Sequence, residues 1–472
     1  MLLLLFALTF FPFGSAAQLS EEDLNAYLPS NNNVDEDVTS PTADDVFDCM
    51  DGVWSVTSNN KDGNHTSITE AFGYSNIPLQ QPMSKDSHFP IASNSKLYTT
   101  VAIYQLHEQG LLDVDADIAT MLDPLDYANF GVTTRKFCPR VGRSMFSWRC
   151  EKITLRNLLS MSSGIYPALN CDAEPNAPHQ CNPDPYILSQ GSTGLTVGTF
   201  LFEPLIFKPG SIYHYSNPNF ILAAYFVEKY SGQTFREYLK TNIFDRIGLK
   251  NTYYDFYNQG MGLDPKRATQ YIRYHNKNNH TDLIAVGADI VQLDLGIASG
   301  TGGIISTVED HATFWYTLFN KTSKGSPLLS SSSLQDILFP WTLALKQNEF
   351  LYPNGTSGPV WGYYTQGTLV ICDTGGCLNG PRFIQYTGGT FTTHTANLLD
   401  YESFKMVQVW ISTLVAMTDR PTFQAAFQQQ TGGVLDVVGN WLDPEYNQPT
   451  SIAWKKMYET VNILHAATVE TS

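Results

Sequence analysis

The chain has 472 residues, 43% hydrophobic, 13% aromatic and only 15% charged, which excludes a disordered or low-complexity polymer and leaves ample chain for a core. Its 28 Lys+Arg against 45 Asp+Glu give a formal net charge of −17. That balance argues against the basic stripe of a nucleic-acid binder and is repelled by anionic membrane surfaces.

Residues 1–17 read MLLLLFALTFFPFGSAA, and the apolar run Leu2–Phe13 is shorter than the about 20 residues a spanning helix needs. Ser15 and Ala17 are the small residues of a cleavage site before Gln18, as in a signal peptide. A basic n-region is missing, which leaves an uncleaved anchor as the alternative. No later stretch is long and apolar enough to span, so the expectation is a secreted or lumenal protein with no membrane span after signal removal. Residues 18–48 are acidic and rich in Ser, Asn and Pro, the composition of a flexible leader or pro-segment. A main domain over 49–442 and a polar tail over 443–472 complete the division.

The alternating segments Gly52–Val56 and Ser67–Tyr74 flank the turn-rich NNKDGNHT and predict a β-hairpin. From Ser95 to Gln109 the pattern is helical and is closed by Gly110. Residues Asp126–Lys152 carry Gly, Pro and two cysteines and read as a loop insertion. A second helix is predicted from about Asn219 to Tyr230, stopped by Ser231-Gly232. Strand-like runs return at Val360–Ile371, Arg382–Thr387, Thr393–Leu399 and Lys405–Ile411, followed by a terminal helix around Pro421–Leu442. Strands at both ends with helices between them predict one antiparallel sheet built from both termini, flanked by helices, with a mainly helical subdomain inserted: an α/β (α+β) fold with a cleft between its parts.

Seven cysteines suit an oxidising compartment. Cys138 with Cys150, Cys171 with Cys181, and Cys372 with Cys377 are close in sequence, with Cys49 left over; spacing does not determine the connectivity. Sequons begin at Asn64, Asn279, Asn320 and Asn354, near the roughly five that chance gives, and mark where a glycan would be accepted. Trp54, Trp315, Trp361 and Trp410 sit in periodic segments and read as core, with one a candidate for the cleft mouth, and Met161 reads as core beside Leu158 and Leu159.

Chemistry first arises at Phe89-Pro-Ile-Ala-Ser93-Asn-Ser-Lys96. A spacing of three places Ser93 and Lys96 on one helical face, and the helix N-terminus favours a developing anion near Ser93. A Lys desolvated by neighbouring core has a lowered pKa and is able to accept the seryl proton. Taken alone, the same residues describe a helix cap by Ser93 with a solvent-facing Lys96.

The wider sequence resembles the serine β-lactamase and penicillin-binding-protein superfamily, in which S-x-x-K opens the active-site helix, and within it the branch of class C β-lactamases, D-aminopeptidases and related esterases. The matching segments are FGYSN before the motif, ITLRNLLSMSSGI (Ile153–Ile165), FKPGSIYHYSN (Phe207–Asn217), IFDRIGLKNTYY (Ile243–Tyr254) and GTGGIISTVEDHATF (Gly300–Phe314). They occur in family order from about Gly52 to Ile411. The resemblance implies Ser93 as nucleophile, Lys96 and Tyr215 as its proton-transfer partners, and Asn217 as a donor to a substrate carbonyl. Outside that frame, Pro209-Gly210 and Asn217-Pro218 are turn signals, and Tyr213 is a rival for the tyrosine role.

The third family motif, K-T-G or H-x-G, corresponds to Tyr386-Thr387-Gly388-Gly389, so these four residues are expected to line the substrate. The amides of Ser93 and Gly389 are expected to form the oxyanion hole. Tyr386 stands where Lys or His is usual, which removes a cation that could hold a substrate carboxylate and favours an uncharged ester or amide. His394, five residues beyond Gly389, reads as a strand histidine that could also approach the cleft; His88 and His214 lack metal-ligand spacing. The implied reaction is two-step acyl transfer on a small-molecule or peptide substrate with an acyl bond, without metal or organic cofactor. The alternative is a non-catalytic descendant that uses the fold as a binding or assembly scaffold.

Overall fold

A computed structural model describes residues 51–59, 65–77, 79–132, 134–142, 149–167, 192–255, 264–275, 281–285, 299–320, 325–351, 357–372, 377, 380–389 and 393–416. The signal, leader, tail and terminal-helix expectations lie outside these residues, as do Cys49, Cys171, Cys181, Asn64, Asn279 and Asn354.

The predicted hairpin forms from β1 (Gly52–Asn59) and β2 (His65–Phe72), paired antiparallel. β2 alternates between shielded and exposed positions, as an edge strand with one wet face does, whereas Val53, Ser55, Val56 and Thr57 of β1 are all buried. β1 is covered because its other edge pairs with the last strand of the sheet, Gly52 opposite Ile411. Six further strands, β3 (Thr342–Leu351), β4 (Ser357–Tyr364), β5 (Leu369–Cys372), β6 (Phe383–Gly389), β7 (His394–Asp400) and β8 (Lys405–Ile411), complete an antiparallel sheet in the order β3-β4-β5-β6-β7-β8-β1-β2. The sheet thus unites an early hairpin with strands formed much later in the chain, from Thr342 onward.

Between β2 and β3 most of the regular structure among the described residues is helical. α1 (Ser95–Glu108) is buried from Ser95 through Leu106 and ends before Gly110, whose φ of 71° suits glycine. α2 (Leu155–Leu159) begins at a capping box between Thr154 and Asn157. α3 (Asn217–Ser231) has Pro218 in its first turn and the left-handed Gly232 as its stop. α4 (Val308–Leu318) lies on the sheet, with Tyr316 Oη donating to Thr57 O at 2.7 Å and to Phe404 O at 3.0 Å. Tyr98 of α1 stacks on Phe314 of α4 with ring centroids 3.7 Å apart, which joins the helices into one layer.

Several expectations are refined. The run Val360–Ile371 is two strands, because residues 365–368 turn and Thr365 N donates to Thr368 O at 2.9 Å. The insertion at 126–152 begins inside a short helix, Pro124–Asn129, capped by Asp123. β3 is an additional strand. Cys138–Cys150 and Cys372–Cys377 are bonded. Trp315 and Trp410 are fully buried, whereas Trp54 and Trp361 are half-buried. Among the described residues no helix is long and apolar enough to cross a membrane.

Candidate active site

Two-residue strands, Phe89–Pro90 and Tyr253–Tyr254, flank Ile304–Ser306 and pin the chain immediately before α1. Ile91 N donates to Ile304 O at 2.9 Å, and Ala92 then takes a left-handed φ of 44°, a conformation an alanine adopts only when its surroundings enforce it. The enforcing contacts are visible on both sides. Gly388 of β6 leaves no room: a Cβ there would lie 2.0 Å from Ile91 O. Asn94 Nδ2 donates to Thr395 Oγ1 at 2.8 Å, and Asn94 Oδ1 accepts from Asn397 Nδ2 at 2.9 Å. Asn397 Oδ1 in turn accepts from Gln408 Nε2 and Trp410 Nε1, both at 3.1 Å. A buried amide network therefore runs from β8 through β7 to the residue after Ser93.

This turn presents Ser93 Oγ to two groups. Tyr215 Oη is 2.7 Å away and Lys96 Nζ is 3.0 Å away. Lys96 is 0% exposed; its amino group donates to Thr301 O at 3.1 Å and lies 4.9 Å from the Tyr215 ring centroid. Burial holds Lys96 well below the ordinary lysine value, in the direction of the neutral amine. Burial acts oppositely on Tyr215, which is pushed up to about 12 even though hydrogen bonds from Ser93 and Tyr386 pull it back. The pair is thus an amine drawn toward its basic form and a phenol that keeps its proton.

Tyr215 is placed by the segment before α3. His214 N donates to Met161 O at 2.9 Å, and Met161 Sδ accepts from Ser216 N at 3.3 Å and Asn219 Nδ2 at 3.4 Å. Met161 is core, as expected, and also the brace of this segment. Asn217 Oδ1 accepts from Thr301 Oγ1 at 2.5 Å, which orients its carboxamide. Thr301 therefore touches both Lys96 and Asn217. It is held there by Gly300, where φ is 81° and a Cβ would lie 2.3 Å from Phe220 O.

The third motif also comes to this place. Tyr386 is buried, shares the face of β6 with Gly388, and is among the groups that hold the Tyr215 pKa down. Its hydroxyl lies 2.6 Å from Tyr364 Oη. Gly389 ends β6 opposite His394. Thr387 is buried, and the two-residue period puts it on the other face of the strand. His394 is desolvated and lowered to about 4, so it is neutral at pH 7. The Tyr213 ring lies 5.3 Å from that of Tyr364. His88 Nδ1 pairs with Asp264 at 2.6 Å.

Ser93, Lys96, Tyr215 and Asn217 are therefore brought together, with Tyr386 and Gly388 beside them, while Gly389 ends the same strand. Sequence reasoning missed Asn94, Thr301, Tyr364, Thr395 and Asn397. The signal for one of them was present: Asn397, like its partner Gln408, is a polar residue at a buried strand position, where it requires partners.

The family model for Beta-lactamase matches residues 61–422. Penicillin-binding protein 4* of Bacillus subtilis (strain 168) is 26% identical over 293 residues, 58% of this chain and 56% of that protein, so the chain spans little more than half of it. A putative D-alanyl-D-alanine carboxypeptidase of Escherichia coli (strain K12) is 23% identical over 373 residues, 76% of each chain. Among solved structures, a variant of simvastatin synthase from Aspergillus terreus is similar in fold, with a TM-score of 0.57 at 16% identity, covering 89% of this chain and 94% of that one.

Proposed function

The chain belongs to the beta-lactamase family, and from that membership we propose that it is a secreted serine hydrolase that cleaves an uncharged ester or amide through an acyl-enzyme on Ser93. One observation carries the reading: Ser93 Oγ lies within hydrogen-bond distance of both Lys96 Nζ and Tyr215 Oη, at 3.0 and 2.7 Å, with the lysine wholly buried. A pure scaffold has no physical need of a buried lysine beside a serine and a tyrosine.

In the proposed reaction Ser93 gives its proton to the Nζ lone pair of Lys96 as Oγ bonds to the substrate carbonyl carbon. The amides of Ser93 and Gly389 receive the charge on the carbonyl oxygen, and Asn217 holds a substrate carbonyl. Tyr215 passes its proton to the leaving oxygen or nitrogen as that bond breaks, and regains one from the Lys96 ammonium. Water then attacks the seryl ester through the same groups in reverse, restoring Ser93 and releasing the acid. Lys96 is the base in this scheme because a phenol pushed up to about 12 is a poor one at neutral pH.

Two relatives are named for penicillin binding and for a D-alanyl-D-alanine carboxypeptidase. For this chain the tyrosine at 386 supports a neutral substrate instead, since a carboxylate would find no cation from that position. The two disulfides support an oxidising compartment.

The test is hydrolysis of a short-chain p-nitrophenyl ester by the wild type and Ser93→Ala, with folding checked by circular dichroism. Turnover should vanish in the variant. Equal rates in two folded proteins, with no labelling of Ser93 by a fluorophosphonate, would defeat the enzyme reading and favour the scaffold. A pair of esters differing only by a carboxylate beside the acyl carbon tests specificity; preference for the charged one would overturn the neutral-substrate assignment.

A further inference from the structure

Tyr364, the last residue of β4, has no part in the motifs, yet its hydroxyl is 2.6 Å from that of Tyr386 although β5 runs between their strands. Both side chains are 2% exposed, and their rings meet edge-on with centroids 5.9 Å apart. The ring of Tyr213 covers Tyr364 from the other side at 5.3 Å. Tyr386 and Tyr215 act on each other electrostatically, and the Tyr215 hydroxyl lies 2.7 Å from Ser93 Oγ, so the three phenols form one buried group beside that serine.

We propose that Tyr364 is a positioning residue that aims the hydroxyl proton of Tyr386 at Tyr215, so that the hydroxyl chain stabilises Tyr215 while it protonates the leaving group. This rests on the reading of Ser93, Lys96 and Tyr215 given above. The direction follows from proton counting. Each phenol carries one proton, and when Lys96 accepts from Ser93, Oγ is left to accept from Tyr215. Tyr215 Oη then accepts from Tyr386, and Tyr386 from Tyr364, giving one sense along the chain. When Tyr215 hands its proton to the leaving atom, negative charge grows on its oxygen, and the Tyr386 hydroxyl meets it as a preoriented donor. Without Tyr364, the Tyr386 hydroxyl is a rotor with a choice of partners. Burial raises both phenols well above the ordinary tyrosine value, so they remain donors throughout the working range. The partner groups acting on Tyr386 are the other three tyrosines, so the arrangement supplies hydrogen bonds where a cation would supply charge.

A dependence on leaving-group basicity is the test, because a tyrosine that delivers a proton matters most when the leaving group is basic. Tyr364→Phe keeps the ring and removes one oxygen. The kcat/KM of the variant on an alkyl ester should fall roughly threefold to tenfold further than on the p-nitrophenyl ester of the same acid, about one hydrogen bond's worth. Tyr386→Phe should show the same pattern, and the double variant should lose no more than Tyr386→Phe alone, since Tyr364 acts through Tyr386. Equal losses on both esters, no loss on either, or additive losses in the double variant would overturn the proposal while leaving the Ser93 mechanism intact. Failure of a fluorophosphonate to label Ser93 in the wild type would instead overturn the underlying reading and this proposal with it. Should Tyr364→Phe not fold, the leaving-group pattern in Tyr386→Phe decides.

Discussion

A lysine that is 0% exposed and meets only hydroxyl, carbonyl and ring groups among its described contacts carries a stability cost alongside its proposed role as base. Its folded pKa lies well below the unfolded value near 10.5. Between those two values the unfolded chain binds more protons, so stability falls as the pH drops from the unfolded pKa toward the folded one. Lys96→Met removes the group, and the expected outcome is a raised Tm at pH 7, with esterase turnover reduced to background. The Tm advantage should shrink as the pH climbs toward 10.5. A variant less stable than wild type at pH 7 would show that Lys96 is held as a favourable partner rather than forced neutral. That Ser93, Lys96 and Tyr215 were legible in the chain reflects their fixed local spacings within segments of a recognisable type. Tyr364 was not legible, because it reaches the site only through strand order, and Thr301, although it lies in a recognisable segment, was not assigned to the site because its place depends on the close approach at Gly300.

At the scale of elements, the candidate active site is a turn pressed against a strand. The left-handed Ala92 and the glycine at 388 are two sides of one contact, since the backbone of β6 must approach Ile91 O closely. Gly388→Ala would set a methyl 2.0 Å from that oxygen and 2.8 Å from Thr395 Oγ1. The first obstacle is backbone, which has no flexible end to swing away. Turnover should therefore drop to background, with fluorophosphonate labelling of Ser93 slowed in parallel and the far-ultraviolet spectrum retained. A Gly388→Ala protein that labels at the wild-type rate would show that the turn does not depend on this approach. The ends of α1 and α3 were legible because Gly110 and Gly232 are left-handed stops that follow helical periodicity. The division between β4 and β5 was not, because the turn at 365–368 is buried at Thr365, Gln366 and Thr368 and lacks the exposed polar cluster that announces a surface turn.

For the whole molecule, the sheet joins the early strand β1 to the late strand β8, and α4 seals the junction. His311 of α4 sits there between layers: its Nδ1 lies 3.1 Å from Tyr98 Oη of α1, and its ring centroid is 5.4 Å from that of Trp410 of β8. Burial lowers its pKa to about 3, and that of His394 in β7 to about 4, against an ordinary value of 6.5. Above pH 6.5 both are neutral in either state and contribute no pH dependence. As the pH falls from 6.5 toward those values the unfolded chain takes up protons that the folded one refuses, and stability declines. Asp115, Asp264 and Glu309, all held below their ordinary values, add to the decline lower in the same range, whereas Glu228 and Asp310, pushed up by burial, oppose it. The histidines therefore dominate the upper part of the window, before the carboxylates titrate. The urea midpoint of the wild type should decline from pH 8 to 6.5 through Lys96 and more steeply from pH 6.5 to 5, where the histidines add their protons. In His311→Phe, which keeps an aromatic ring between the layers, the midpoint should start lower at pH 8, because Tyr98 Oη loses a partner, and descend less steeply. An unchanged slope in the variant would move the acid sensitivity away from the joint between the helical layer and the sheet.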